Sequence, residues 1–412
     1  MRIQFTLLFI GVLFLQSAAQ QLKSGVWRGV LHIGEHKNEL VLPFNFNVKY
    51  NKTEPIIEIL NADEKIIVDE ISIFGDSVNF YMPVFDTEFK TVLKNDTLRG
   101  LWIIHTRKEK NQIEFEAYYN DKTRFITTAP AKVDFTGRYE VTFNQGTNDE
   151  YKAVGIFKQN GSKVTGTFLT ETGDYRFLEG AVQNTNMTLS CFDGSHAFLF
   201  FLNAPNKTGK VENIEGKVFY SNTGNENFIA RKNESFKLKD PESITVLKNT
   251  NEKIYFTFPN TENKKVSLSD DKYKNKVVII QIMGSWCPNC MDETAYLSKL
   301  YTKFQHEGLE IIGLAYEKTE DFEKAKKNVM RLKKRFGVDY DVLITGLTGK
   351  AKASESLPFF NKISAFPTTI ILDRQHNVKS IYTGFSGPAT GKDYTLYTKK
   401  TENLITQLLL KK

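Results

Sequence analysis

Two patterns of apolar residues divide the chain. From about Gly25 to Phe228, apolar and polar positions alternate with a period of two, as in strands with one buried face. Val41 to Val48, Ile71 to Met82 and Met187 to Phe201 are examples. Turn signals at Gln159-Asn160-Gly161, Thr172-Gly173-Asp174 and Phe192-Asp193-Gly194 separate such runs. This half contains no long amphipathic helical stretch. Beyond Ser243 the pattern changes. Val277 to Ile282 is a nearly continuous apolar run of the kind buried on both faces. Leu297, Leu300, Tyr301 and Phe304 then recur at helical spacing, and Leu309 to Ala315 is a second buried strand. Phe322, Ala325, Val329, Leu332 and Phe336 mark a helix ending at Gly337. Strands are predicted at Asp341 to Ile344, Thr368 to Leu372 and Val378 to Thr383, and a closing helix carries Leu404, Ile405, Leu408 and Leu409. Strands alternating with helices predict an α/β domain.

The β-rich half resembles itself. Gly25-Val26-Trp27 matches Gly137-Arg138-Tyr139, 112 residues on; Phe85-Asp86 recurs as Phe192-Asp193, and Leu98-Arg99-Gly100 as Ile214-Glu215-Gly216. The unequal offsets leave two arrangements open: two related antiparallel sheets, or one barrel built from both copies. The expected organisation is a β-rich domain at 21–235, with candidate repeats at 25–130 and 131–230, and an α/β domain at 236–412. The polar stretch Arg231 to Ser243 reads as the linker.

The first twenty residues read differently. Arg2 precedes the apolar run Phe5 to Leu15, and the small residues Ser17, Ala18 and Ala19 follow. This predicts a secretory signal peptide over residues 1–20, too short to span a bilayer. The expected location is periplasmic or otherwise exported, with the chain soluble after cleavage. With 41% hydrophobic residues and 52 aromatics the chain is globular rather than disordered. The net charge of +7 comes from charges mixed along the chain, so no nucleic-acid partner is expected. Three cysteines exclude a disulfide scaffold and leave one pair and one odd thiol.

That pair lies in Trp286-Cys287-Pro288-Asn289-Cys290. A buried strand ends just before it and an amphipathic helix begins within it. Cys287 thus falls at a helix N-terminus, where unpaired N–H groups and the helix dipole favour a thiolate and make it the candidate nucleophile. Pro288 suits the first helical turn. Cys290, almost one turn on, is placed to resolve a mixed disulfide, so the pair can cycle between dithiol and disulfide. The same spacing binds zinc, but the α/β domain offers only His306 and His376 as further ligands. No metal and no cofactor are expected.

With Glu293 three residues beyond Cys290 and Ala365-Phe366-Pro367-Thr368-Thr369 opening a strand, the segment from about Leu247 to Lys412 resembles the thioredoxin fold. In particular it resembles exported disulfide reductases of the TlpA/ResA type, in the larger form that carries a β-rich region ahead of the thioredoxin domain. The resemblance implies a protein-disulfide reductase with a redox-active Cys287–Cys290 disulfide. It makes Pro367 the cis-proline that holds a substrate backbone, with Phe366 beside it and Trp286 covering the disulfide. It makes Glu293 an acid that moves protons to or from the cysteines. The implied partners are disulfide-containing exported proteins and a membrane thiol reductant as electron donor. One position departs from many thioredoxins: the buried Asp six residues before the first cysteine is here Gln281, so the base function passes to Glu293 or water. Glu317 is a further acidic candidate.

Cys191 reads as a buried strand thiol, with a third redox thiol as the sharper alternative. Two other functions stay open: a peroxiredoxin-like antioxidant enzyme, although the P-x-x-x-T-x-x-C pattern is missing before Cys287, and an envelope binding protein whose β-rich half recruits a partner.

Overall fold

The computed structural model describes residues 21–34, 40–109, 111–249 and 252–411. The expected signal peptide lies outside them. Among the described residues, no helix is long and apolar enough to cross a membrane.

The first β unit comprises β1 (Gly25–Ile33), β2 (Leu40–Asn51), β3 (Glu54–Asn61), β4 (Glu64–Val68), β5 (Glu70–Phe74), β6 (Ser77–Tyr81), β7 (Thr87–Lys94), β8 (Thr97–Ile104) and β9 (Gln112–Tyr119). They form one nine-stranded antiparallel sheet in the order β4-β3-β2-β1-β9-β8-β7-β6-β5. Its edge strands, β4 and β5, are separated in the chain only by Asp69. The sheet must therefore curl until its two edges nearly meet. Alternation sends Trp27, Phe44, Phe46, Phe89, Trp102 and Phe115 to its inner face, where each is at most 1% exposed.

The second unit comprises β10 (Gly137–Phe143), β11 (Tyr151–Asn160), β12 (Lys163–Thr170), β13 (Gly173–Asp174), β14 (Leu178–Gln183), β15 (Asn186–Phe192), β16 (Ala197–Asn203), β17 (Asn213–Tyr220) and β18 (Asn225–Lys232). Its order is β13-β12-β11-β10-β18-β17-β16-β15-β14, the same path as the first unit. Here β12 also pairs with β14, from Lys163↔Ala181 to Gly166↔Leu178, and the sheet closes into a barrel. The three sequence resemblances fall at equivalent places: the start of β1 and β10, the segment before β7 and β16, and β8 and β17. Each sheet is built from one copy alone, because β1 pairs with β9 and β10 with β18. A single barrel shared by both copies is therefore not what forms. The supposed linker is also shorter than its polarity implied: Arg231 and Lys232 end β18, and Glu242 accepts hydrogen bonds from Ser380 and Lys400 at 2.8 and 2.7 Å.

The two units interlock. Phe192, at the end of β15, stacks on Phe44 of the first unit at 4.5 Å and meets Trp102 edge-on at 5.0 Å. Beside it, the buried Arg124 bonds Ser190 Oγ at 2.9 Å and the carbonyl of Leu60 at 3.0 Å.

The C-terminal region follows the predicted alternation. Its elements are β19 (Val277–Met283), α1 (Pro288–Phe304), β20 (Leu309–Ala315), α2 (Phe322–Phe336), β21 (Asp341–Ile344), α3 (Gly349–Ser356), β22 (Thr368–Leu372), β23 (Val378–Thr383) and α4 (Lys392–Leu410). The sheet order is β21-β20-β19-β22-β23, with β19, β20 and β21 parallel and β22 and β23 antiparallel to their neighbours. Every residue of β19 is buried, as its apolar run, interrupted only by Gln281, requires of a central strand. Asp321 caps α2 by accepting from Lys324 N at 2.9 Å.

Candidate active site

The central strand β19 delivers Gly284-Ser285-Trp286 to the start of α1, and the chain turns there for local reasons. Cys287 is the N-cap of α1 in an extended conformation, and Pro288 is its first helical residue. Cys287 Sγ accepts from Cys290 N at 3.4 Å and lies 3.5 Å from the carbonyl of Phe366, to which its thiol can donate. Ser285 is clamped from the far side: its N–H and hydroxyl donate to the two oxygens of Glu317, at 2.8 and 2.6 Å. Glu317 is 2% exposed, so this candidate acid holds the turn rather than facing solvent. Both Cys287 and Cys290 are free thiols. Cys290 is fully buried, and burial, then the adjacent Cys287, push its thiol well up.

The Phe366–Pro367 peptide is cis, and the Pro367 carbonyl accepts from Gly384 N at 2.8 Å. Phe366 packs parallel to Tyr316 at 5.7 Å and edge-on to Trp286 at 5.9 Å. The half-buried Trp286 donates to the Tyr316 carbonyl at 3.0 Å and carries the Lys318 ammonium 4.6 Å over its ring. Trp286, Phe366 and Pro367 therefore stand with Cys287 at one face of the domain.

Glu293 is a buried acid, not a solvated helix carboxylate. One oxygen accepts from Thr369 Oγ1 at 2.7 Å and Tyr397 at 3.1 Å, the other from Gln281 Nε2 at 2.9 Å. Burial raises its carboxyl to about 7, against the lowering pull of those three donors. The same Gln281 amide nitrogen lies 3.5 Å from the Cys290 carbonyl. The neutral amide at this departing position thus ties the acid to the cysteine helix.

The structure also brings up residues that the sequence did not single out. Arg176, 7% exposed, extends from the second β unit to α1, donating to the Pro288 carbonyl at 3.0 Å and to Asp292 at 2.8 Å. It also pairs with Glu64 of the first unit and approaches Asp193 at 3.7 Å. Asp174 accepts from Gly387 N at 2.5 Å through its carboxylate, and its carbonyl accepts from the Asn289 side chain at 3.2 Å. Burial lifts the Asp174 carboxyl to about 6. One guanidinium cannot neutralise four carboxylates. Burial, opposed by Arg176 and reinforced by Glu64, Asp174 and Asp193, raises the Asp292 carboxyl to about 7. Arg176 lies 112 residues from Glu64 and 116 from Asp292, so no local pattern could have linked them. Cys191 is fully buried in the core of the second barrel, and burial, reinforced by Asp193 and Glu64 and opposed by Arg176 and Arg124, pushes its thiol well up.

A cysteine pair opening a helix from the central strand, beside a cis-proline, defines a redox domain of the thioredoxin superfamily, and residues 248–395 match the Redoxin family. The relatives of this segment are thiol-disulfide oxidoreductases named ResA. The chain is similar to the thiol-disulfide oxidoreductase ResA of Geobacillus thermodenitrificans, at 28% identity over 129 residues, covering 31% of this chain and 66% of that protein. ResA of Bacillus subtilis is 26% identical over 147 residues, covering 36% of this chain and 74% of the relative. The chain thus spans just under two thirds of the first relative's length. Among solved structures, a thiol-disulfide oxidoreductase from Bacteroides fragilis aligns with a TM-score of 0.27 at 21% identity, covering 34% of this chain and 96% of that one.

Proposed function

We propose that this chain is an exported thiol–disulfide oxidoreductase that reduces protein disulfides. The observation that carries the reading is the placement of Cys287 as the N-cap of α1, with Cys290 buried behind it and Glu293 buried beneath. The Cys287 thiolate attacks one sulfur of a substrate disulfide; that S–S bond breaks, and the other substrate sulfur leaves as a thiolate. Cys290 passes its proton to Glu293 and attacks Cys287 Sγ. The mixed disulfide breaks, and the second substrate sulfur leaves and is protonated. The substrate gains two electrons and the pair becomes a Cys287–Cys290 disulfide. A membrane thiol reductant, implied by the family resemblance, returns the electrons. Trp286, Phe366 and Pro367 form the wall against which the substrate backbone lies beside Cys287.

Glu293, with a carboxyl raised to about 7, can both take and return a proton near neutral pH. The backbone N–H of Cys290, in the first turn of α1, donates to the attacking sulfur at 3.4 Å.

The test is a trapping experiment. Cys290→Ser should accumulate a mixed disulfide between Cys287 and a disulfide-bonded protein substrate, visible by non-reducing electrophoresis and mass analysis. Cys287→Ser should accumulate none. Titration in thiol buffers should show one two-thiol transition below about −220 mV, in the reducing range. Rapid peroxide turnover with no protein-disulfide reduction, or the absence of a Cys287–Cys290 transition, would overturn the proposal.

A further inference from the structure

The turn that joins β12 to β13 in the second β unit touches the redox domain at two places. At Gly384, whose N–H bonds the Pro367 carbonyl, an added Cβ would lie 2.9 Å from the Glu171 carbonyl oxygen. At Gly173, an added Cβ would lie 2.0 Å from the Asn289 amide nitrogen. The turn therefore stands directly beside both the cis-proline segment and the middle of the cysteine motif. Its other side faces a cavity of about 750 Å³ at the end of the second barrel, and Asn289 contributes to the cavity wall. The volume lies within the range of ligand pockets and exceeds what one side chain needs.

The lining defines what would fit. Phe198 stacks with His196 at 4.9 Å and packs against Tyr175 at 5.1 Å, giving an aromatic wall. The Tyr151 and Tyr175 hydroxyls are 3.0 Å apart, and Tyr151 donates to Glu226 at 2.8 Å, so the phenols nearby are engaged with one another and with a carboxylate. Thr172 is exposed at the rim. Aromatic walls favour the rings of an incoming aromatic side chain in offset or edge-on packing. Asn289, two residues from Cys287 in the same motif, sets one edge of the cavity beside the cysteine helix.

We propose that this cavity, between the second barrel and Asn289, is a substrate subsite that accepts an aromatic residue flanking the disulfide of a polypeptide substrate. The inference rests on the reductase reading and gives the β-rich half the task of selecting substrates for the adjacent cysteines. An aromatic residue seated there would raise the residence of the substrate at Cys287 and act through KM, since it makes no contact with the reacting sulfurs.

The test uses the full mature chain and two disulfide peptides that differ only in carrying Phe or Gly two residues from the cysteine. Bis(2-hydroxyethyl) disulfide serves as a substrate without a peptide. The wild-type protein should reduce the Phe peptide with a kcat/KM about tenfold higher than the Gly peptide, chiefly through KM. Thr172→Trp, which fills the cavity from its rim, and Phe198→Leu, which removes an aromatic wall while keeping apolar bulk, should each bring that ratio close to one. A ratio of one in the wild type, or a preference kept by both variants, overturns the subsite. Calorimetric titration of a cysteine-free Phe peptide onto Cys287→Ser separates the two readings. Binding that Thr172→Trp abolishes, with no disulfide reduced by the wild type, upholds the cavity as a peptide site and overturns the reductase reading. Reduction of all three disulfides without preference or binding upholds the reductase and overturns the subsite.

Discussion

Arg176 of the second β unit donates to Asp292 of the cysteine helix at 2.8 Å, and the same guanidinium bonds the carbonyl of Pro288 between the two cysteines. The buried Arg176 side chain thereby ties the β-rich half to the helix that carries the cysteine pair, while Glu64 brings in the first β unit. Removing the cation leaves Glu64, Asp193 and Asp292 facing one another without it. Arg176→Met should therefore lower the free energy of unfolding by about 3–5 kcal/mol, the range for breaking a buried pair from one side. Adding Asp292→Asn should recover part of that loss, because one of the three carboxylates left without the cation is then neutral. Urea unfolding of the two single variants and the double variant checks this; fully additive losses would count against the coupling.

Glu293 makes stability depend on pH in a defined direction. Its carboxyl stands at about 7 in the folded chain, against an ordinary value of 4.5. The native state thus holds the proton more tightly than the unfolded chain. The contribution is fully present below about pH 4.5 and is lost as pH rises to about 7, by about 3 kcal/mol at 1.36 kcal/mol per unit. Glu293→Gln removes this dependence. The stability of the wild type minus that of the variant, followed by urea unfolding from pH 4.5 to 7.5, should fall by about that amount; a flat difference would refute the assignment.

Phe192 belongs to the second barrel by chain but to the first by packing, against Phe44 and Trp102. Phe192→Ala should cost about 3–5 kcal/mol, as for other large-to-small changes in cores. Because Trp102 loses its edge-on partner, the native tryptophan emission should also shift to the red. A loss below about 1 kcal/mol with unchanged emission would show that the two units do not depend on this contact.

Gly384 combines a φ of +78° with a close backbone neighbour, whereas Gly346, at +68°, has nothing within 4 Å of where a Cβ would stand. Alanine at both sites meets backbone strain of about 1 kcal/mol or more. Only at Gly384 must the Glu171–Thr172 backbone also give way, which adds about 1–3 kcal/mol. Gly384→Ala should therefore destabilise the chain more than Gly346→Ala in the same unfolding assay. Equal losses would mean that the turn of the second barrel moves aside freely.

Local patterns in the sequence were enough for most of the α/β half, the short helix α3 excepted. The apolar run of β19, interrupted only by Gln281, reads as a central strand, and a cysteine followed by proline at the start of an amphipathic run reads as a helix N-terminus. Both are consequences of burial and backbone bonding within a few residues. The alternation in the first half likewise determined strands, and three short resemblances marked equivalent places in two copies. Alternation alone says which face is buried, not which strand lies beside which. Only tertiary structure decided that β1 meets β9 and β10 meets β18, so that each copy builds its own sheet. The same holds for the site. Cys287 and Cys290 are neighbours through a helical turn, but Glu293 becomes a buried acid only when Gln281, Thr369 and Tyr397 arrive from β19, β22 and α4. Arg176 reaches Asp292 across 116 residues of chain. Spacing along a sequence encodes contacts one turn or one strand step away; contacts across the chain depend on how whole sheets close and pack, and those are set by the sum of their buried faces.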